Sequence, residues 1–127
     1  MISGSLAAAI AVLLGAFGAH ALKDKLEPAQ LQVFETGVRY QFYHAFALIV
    51  VALLSERFNS SLLNSSGYLF ITGIIFFSGS LYLLSAKNLL GIENWKFLGP
   101  ITPLGGLCFI VAWSFVAISV WKQSSGK

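Results

Sequence analysis

Four long apolar segments separated by short polar connections constrain this chain more than any other feature. The approximate spans are residues 2–22, 36–55, 67–86 and 99–121 of the 127. At about 1.5 Å per residue, each can cross a hydrocarbon core of roughly 30 Å as a helix. Because a backbone in lipid must satisfy its own hydrogen bonds, helices are the form expected. We therefore predict an all-α integral-membrane four-helix bundle, a single domain over residues 1–127 with both termini on one side.

The composition supports a membrane environment over an aqueous one. Hydrophobic residues make up 57% of the chain and charged residues only 10%, whereas a soluble domain averages about 25% charged. This balance excludes an ordinary soluble enzyme and a disordered tail. The net charge of +3 reflects a shortage of acids, since Lys and Arg are scattered singly. No nucleic-acid partner is therefore expected, and membrane lipids are the expected surroundings.

The first apolar segment has an alternative interpretation as a cleaved signal peptide. Ala19, His20 and Ala21 resemble a signal-peptidase site after an apolar run. Two features oppose cleavage: no charged residue precedes the run, and His20 is unusual at the junction itself. The run is also nearer the length of a full span than of a signal core. We expect it to be the first membrane span.

A short amphipathic segment is predicted before the second span. Pro28 suits the first turn of a helix. Apolar residues then recur at helical spacing opposite polar ones, which indicates a segment lying at the interface and leading into the span. The apolar residues are Leu31, Phe34 and Val38, and the polar ones are Gln32, Glu35 and Arg39.

The start of the fourth segment carries two prolines and three glycines within eight residues. Because proline and glycine disfavour a helix interior, irregular backbone is predicted there. The residues concerned are Gly99, Pro100, Pro103, Gly105 and Gly106.

Counting residues from the span ends places most intramembrane polar groups in one half of the bilayer, nearest the first and third connections. Ionisable residues within spans are the best functional indicators in membrane proteins. We therefore predict a polar site open to one leaflet or one aqueous face. The candidate residues are His20, Glu35, Arg39, Tyr40, His44, Ser78, Tyr82 and Thr102.

The chemistry of these residues is limited. Glu35 and Arg39 are four apart, which predicts an ion pair within one helix. His20 and His44 lack a third ligand at a suitable spacing, so no metal or other cofactor is expected. Each imidazole is expected to hydrogen-bond across a helix interface, with a proton-handling or ligand-contacting role as the alternative. No catalytic residue is predicted, because no activated nucleophile or paired carboxylate is present.

Small residues on the first and third segments are predicted to allow close helix packing. They are Ala11, Gly15, Ala19 and Gly79.

Four motifs follow one another along the chain. At residues 15–22, 36–45, 77–82 and 99–106 they read GAFGAHAL, TGVRYQFYHA, FSGSLY and GPITPLGG. In this order they resemble the motifs of the YgdD/YwdK-like family of small bacterial inner-membrane proteins, and the likeness covers nearly the whole chain. The resemblance implies a multi-pass protein of the inner (cytoplasmic) membrane without soluble domains, and it supplies no reaction or catalytic residue. Arg39 departs from some relatives, which carry an acidic residue near that position.

The side of the membrane that holds the termini has two interpretations. The charges of the connections favour termini outside, whereas basic C-terminal tails in the resembling family favour termini inside.

The sequence supports three functional hypotheses. The first is a non-enzymatic accessory or scaffold protein that associates with itself as a homo-oligomer, with lipids or with a larger membrane complex. The second is a small-molecule or proton-handling protein that uses His20, Arg39, His44 and Tyr82. An enzyme acting on lipid-borne substrates ranks third, since the chain lacks the usual catalytic sets.

Overall fold

The fold is entirely helical in the computed structural model, which describes residues 1–125. Within those residues, four helices are long and apolar enough to span a membrane, as predicted. They are α1 (Ile2–Leu22), α2 (Pro28–Arg57), α3 (Ser61–Ser85) and α5 (Leu98–Ser125). A short helix, α4 (Lys87–Leu90), lies between the last two and ends at Gly91, whose φ of 66° suits a residue without a side chain.

The predicted amphipathic segment and the second span form one continuous helix. α2 begins at Pro28, in the first turn, after the N-cap residue Glu27. The Glu27 backbone N–H donates to the Gln30 side-chain oxygen at 3.1 Å, while the Glu27 side chain accepts from the Gln30 backbone. This reciprocal capping fixes the start of the helix eight residues before the expected span.

Two spans contain π-helical turns. In α1 the α-helix runs over Ile2–Phe17 and gives way to a π-helical turn at Gly18–Leu22. In α3 the α-helical parts Ser61–Gly73 and Gly79–Ser85 flank a π-helical turn at Ile74–Ser78. The first turn lies within the motif at residues 15–22, and the second shares Phe77 and Ser78 with the motif at residues 77–82. Such turns occur frequently at functional sites.

Each membrane-spanning helix packs against the next one along the chain. α1 makes its extensive contacts with α2 alone, whereas α3 packs against both α2 and α5. The larger core fills the space between α2, α3 and α5, and includes Leu48, Leu63, Phe70 and Phe109. A smaller core fills the space between the end of α1 and the start of α2.

The start of α5 corrects the prediction of irregular backbone. Gly99, Pro100, Pro103, Gly105 and Gly106 all lie in a regular α-helix that begins at Leu98. Pro100 falls in the first turn, where backbone N–H groups have no acceptor within the helix. Pro100 therefore removes no hydrogen bond from the helix. Pro103 removes only one, the bond that would have reached the carbonyl of Gly99.

The glycines in that stretch serve close packing. A Cβ on Gly105 would collide with the backbone of Phe77, lying 2.8 Å from its Cα. On the facing helix, a Cβ on Gly73 would collide with the Phe109 ring and lie 3.2 Å from the Gly105 carbonyl oxygen. Close backbone approach at small residues is the main source of helix association in lipid. α3 and α5 therefore cross at these two glycines.

The small-residue stripe predicted on α1 is partly wrong. Ala11 is fully buried and Gly15 lies against Val38, but Ala19 is exposed. Residues four apart drift by about 40° around a helix, whereas residues seven apart nearly superpose. The buried stripe accordingly follows the seven-residue spacing of Gly4, Ala11 and Gly18.

Gly79 is also not a packing residue. A Cβ added there would meet nothing within 4 Å. The π-helical turn that ends at Ser78 directs the neighbouring serines, rather than Gly79, towards the other helices.

Candidate functional site

A buried glutamine ties three helices together at the centre of the predicted polar site. The Gln41 side chain is only 5% exposed. Its Nε2 donates to the backbone carbonyl of Ala7 on α1 at 2.9 Å, and its Oε1 accepts from the Tyr82 hydroxyl on α3 at 2.9 Å. We call Ala7, Gln41 and Tyr82 the Gln41 network. In a medium without water, such bonds satisfy groups that would otherwise be costly to bury.

Two neighbours hold the Tyr82 ring in place. A Cβ on Gly37 would lie 2.8 Å from the ring, so the missing side chain creates the room for it. The Phe34 ring packs on the other side at a centroid distance of 5.0 Å. The Tyr82 hydroxyl is thereby directed to Gln41.

His44 is held by stacking and by its own helix. The ring stacks on Phe109 of α5 with centroids 3.4 Å apart and planes 2° from parallel. Phe70 and Trp113 lie farther out around it. Nδ1 lies 2.7 Å from the Tyr40 carbonyl oxygen. Since that oxygen can only accept, Nδ1 carries the proton and donates. The predicted bond across a helix interface is therefore wrong, because the imidazole bonds within α2 and meets α5 by stacking.

A second polar contact joins α3 to α5. The Ser80 and Thr102 hydroxyl oxygens lie 2.6 Å apart, so one hydroxyl donates to the other. The remaining hydroxyl donates to a carbonyl of its own helix, which is Phe77 at 3.0 Å for Ser80 or Leu98 at 3.5 Å for Thr102. Ser78, on the π-helical turn, is fully buried. Its Oγ is the one fully buried side-chain oxygen or nitrogen of residues 1–125 that lacks a hydrogen-bond partner.

The charged residues of the predicted site lie outside the Gln41 network. Glu35 and Arg39 are both exposed on α2. The predicted ion pair between them is not formed, since no oxygen of Glu35 comes within 4.0 Å of an Arg39 nitrogen. Their side chains instead flank a cavity of about 210 Å³ between α1 and α2, whose floor is formed by Gly15, Phe34 and Val38.

His20 and Tyr40 also stay at the periphery. His20 is exposed on the π-helical turn of α1 and forms no side-chain hydrogen bond within the described residues. Tyr40 is exposed, with its ring near those of Tyr43 and Phe77. The proton-handling set of His20, Arg39, His44 and Tyr82 therefore shares no hydrogen bond in the part of the chain described.

A larger groove runs beside the other half of α1. Its volume is about 590 Å³, within the range typical of small-molecule sites. α2 forms the floor, with Leu48, Val51, Ala52 and Ser55, and the start of α1 forms one wall. The other wall is α3, with Leu63, Asn64, Gly67, Tyr68 and Ile71. The groove exists because α1 packs along α2 without closing on α3.

The described residues offer few groups for bond-making chemistry. Ser66 and Ser85 donate to carbonyls of their own helix. Across residues 1–125, no three His, Cys, Asp or Glu side chains cluster in a way that could hold a metal ion. The arrangement joins helices and leaves open grooves facing outwards.

Sequence reasoning missed Gln41, although the residue lies inside a motif that it singled out. The available signal was an uncharged amide within an otherwise apolar and aromatic stretch, placed four residues after Gly37. Counting residues from the span ends gives the depth of each polar group in the membrane but not the direction in which its side chain projects from the helix. The two side chains project in different directions from α2: that of Gln41 faces the other helices, and that of Arg39 faces outwards.

Comparison with known proteins relates the chain to bacterial membrane proteins. Residues 14–106 match a family described as "Protein of unknown function (DUF423)". The UPF0382 membrane protein YwdK of Bacillus subtilis is 43% identical over 123 residues, covering 96% of this chain and 95% of that protein. A UPF0382 membrane protein of Staphylococcus epidermidis is 42% identical, covering 96% and 94%. No solved structure matches the chain significantly.

Proposed function

The chain belongs to the DUF423 family, and from this premise we propose that it is a non-enzymatic, lipid-binding accessory protein of the bacterial inner membrane. The observation that carries the proposal is the groove of about 590 Å³ between α1 and α3. The polar side chains of Gln41, Ser80, Tyr82 and Thr102 are engaged in hydrogen bonds between helices.

The groove has the properties expected of a lipid site. Its floor is largely apolar and its rim carries polar side chains, with Asn64 and Tyr68 on the α3 wall. Tyr68 is 75% exposed and lies near the start of α3, where an aromatic ring with a hydroxyl suits the headgroup level. An acyl chain on the floor with its polar end near Asn64 would match both parts of the groove.

The binding energy of such a lipid must come from how closely its acyl chain fits the walls of the groove. Inside a bilayer an acyl chain gains no hydrophobic free energy by leaving other lipids, so van der Waals contact decides. A groove with fixed walls favours one lipid over a freely moving shell. A lipid held there would also brace α1, which packs extensively on α2 alone.

The inner membrane is proposed on physical grounds. Proteins of the bacterial outer membrane are typically β-barrels, whereas the spans here are apolar helices. Self-association and assembly with a larger membrane complex remain compatible with an accessory role. Nothing in the geometry favours the proton-handling alternative, because the Tyr82 hydroxyl is bonded to Gln41 and His44 is stacked on Phe109.

Filling the groove tests the proposal. Gly67 lies on the α3 wall, where an added Cβ would meet only a Val51 methyl at 3.8 Å. Gly67→Leu should therefore occupy the groove without disturbing the helices. Native mass spectrometry of the purified protein should show retained lipid on the wild type and several-fold less on this variant.

The matched control is Gly79→Leu, on the same helix. A Cβ at Gly79 meets nothing within 4 Å, and Gly79 does not line the groove between α1 and α3, so lipid retention should match the wild type. A wild-type protein that carries no lipid would contradict the proposal. Equal retention by Gly67→Leu and Gly79→Leu would show that bound lipid lies elsewhere.

A further inference from the structure

The smaller groove between α1 and α2 carries an acid and a base that form no ion pair with any group of residues 1–125. Glu35 and Arg39 flank it, both are exposed, and they are not paired with each other. From this arrangement we propose that the groove binds the headgroup of an aminophospholipid, a lipid with both a phosphate and a primary ammonium. This inference rests on the proposed lipid-binding function and names a headgroup class for a second site.

The packing of α3 on α2 gives the depth of the two charges. Tyr82 lies beside Gly37, and Lys87, the first charged residue after α3, follows five residues later, about 7–8 Å farther out. Because α2 runs in the opposite direction, Glu35 lies about 4–5 Å inside the level of Lys87. Arg39, one helical turn deeper, lies about 10–11 Å inside it.

Charges at these depths require counter-charges. An unpaired ion within the apolar layer costs several kcal/mol, and long side chains lower that cost by reaching towards the headgroups. Side chains on a helix lean towards its N-terminus, which for α2 is the face that carries Lys87. Glu35 therefore presents a carboxylate at the outer level, and Arg39 presents a guanidinium just beneath it.

The order of these charges along the membrane normal selects the headgroup. In an aminophospholipid the ammonium is outermost and the phosphate lies nearer the glycerol. The outer Glu35 would accept hydrogen bonds from the ammonium, and the deeper Arg39 would donate to the phosphate. A headgroup without an ammonium leaves Glu35 unneutralised beside a phosphate. A quaternary ammonium lacks N–H donors for the carboxylate.

The floor of the groove suits the start of an acyl chain. Gly15, Phe34 and Val38 form an apolar surface directly beside the two charges. Because Gly15 has no side chain, α1 leaves open the space that a larger residue would fill. The cavity of about 210 Å³ has room for part of one lipid.

Competitive lipid binding by the full-length protein in detergent tests the proposal. Phosphatidylethanolamine, phosphatidylglycerol and phosphatidylcholine are added in equal amounts, and bound lipids are counted by native mass spectrometry. The wild type should prefer phosphatidylethanolamine by on the order of tenfold, the equivalent of one charge-assisted hydrogen bond. Glu35→Gln should remove that preference, and Arg39→Gln should lower binding of all three lipids at this site.

The controls are Glu56→Gln and Arg57→Gln at the other end of α2. These residues are also exposed, but they are adjacent in sequence and so about 100° apart around the helix. They line a different cavity and do not border the groove beside Gly15, so a preference that arises in that groove should survive both substitutions. Helix content and the thermal midpoint should stay unchanged in all four variants, since each side chain is exposed.

The outcomes separate this inference from the proposed function. A wild type that binds the three lipids equally overturns the inference and leaves lipid binding intact. A wild type that binds none overturns both. A preference that survives Glu35→Gln and Arg39→Gln places the headgroup elsewhere and overturns the inference. Loss of a dimer in these two variants, without a change in lipid preference, assigns the charges to a second copy of the chain and also overturns it.

Discussion

Substituting Gly105 by alanine tests the helix crossing that organises half of the molecule. A Cβ at this position would collide with the backbone of Phe77, lying 2.8 Å from its Cα. Ordinary carbon–carbon contacts are about 3.5–4.0 Å. Because the obstacle is backbone, no side-chain rotation relieves the clash, and α3 and α5 must separate by about 1 Å.

The magnitude follows from two opposing terms. Overpacking of this kind costs about 1–3 kcal/mol, and the upper end applies because the whole interface must shift. Alanine regains about 1 kcal/mol of helix propensity over glycine. Gly105→Ala should therefore lower the free energy of unfolding by about 2 kcal/mol.

Gly106 is the matched control one residue away. Its Cβ would lie 3.8 Å from the Phe77 ring, an ordinary contact. Gly106→Ala should therefore leave the free energy of unfolding unchanged or raise it by up to about 1 kcal/mol. Reversible unfolding in mixed micelles, followed by helix content, measures both variants. Stabilities equal within about 0.5 kcal/mol would refute the close approach of α3 and α5.

The same unfolding assay checks the roles of two buried side chains, Gln41 and His44. Gln41→Leu leaves the Tyr82 hydroxyl without its acceptor and should lower the free energy of unfolding by about 1–2 kcal/mol. Gln32 is exposed, so the control Gln32→Leu should stay within about 0.5 kcal/mol of the wild type. Equal effects of the two substitutions would mean that the Gln41 network does not stabilise the fold. His44→Phe preserves stacking on Phe109 and should cost under about 1.5 kcal/mol, whereas His44→Ala should cost about 3 kcal/mol. A Phe variant as damaged as the Ala variant would show that the imidazole nitrogens matter more than the stack.

Hydropathy predicted the number of membrane-spanning helices correctly, because the thickness of the membrane sets their length. Any segment such as residues 2–22 that is apolar over the thickness of the bilayer must become a helix. Helix ends depend on local hydrogen bonds that hydropathy does not register. The reciprocal capping of Glu27 and Gln30 extends α2 outwards well beyond the apolar stretch.

Residue type alone does not predict the roles of the glycines and prolines correctly. The run from Gly99 to Gly106 resembles a helix breaker, yet it forms the start of α5. Pro100 costs nothing in a first turn, and Gly105 serves a partner helix that only the tertiary structure identifies. Gly79 shows the reverse case, since it appears suited to packing but faces open space.

The polar site was only partly predictable for a related reason. The depth of a residue follows from counting, but its direction depends on which helix is its neighbour. Depth alone groups Tyr82 with Arg39 in one half of the membrane, whereas the structure directs Tyr82 inwards to Gln41 and leaves Arg39 exposed. The i to i+4 spacing likewise predicted a bond between Glu35 and Arg39 that is not formed.

Photo-crosslinking with a lipid that carries a reactive group in its acyl chain tests the central claim most directly. The purified protein is reconstituted with the probe, irradiated and digested, and the modified residues are mapped by mass spectrometry. If lipid occupies the groove between α1 and α3, modification should concentrate on its floor at Leu48 and Ala52. Modification spread over the outward face of α5 at Leu107 and Ile110, with none on the floor, would contradict a lipid-binding role for this groove.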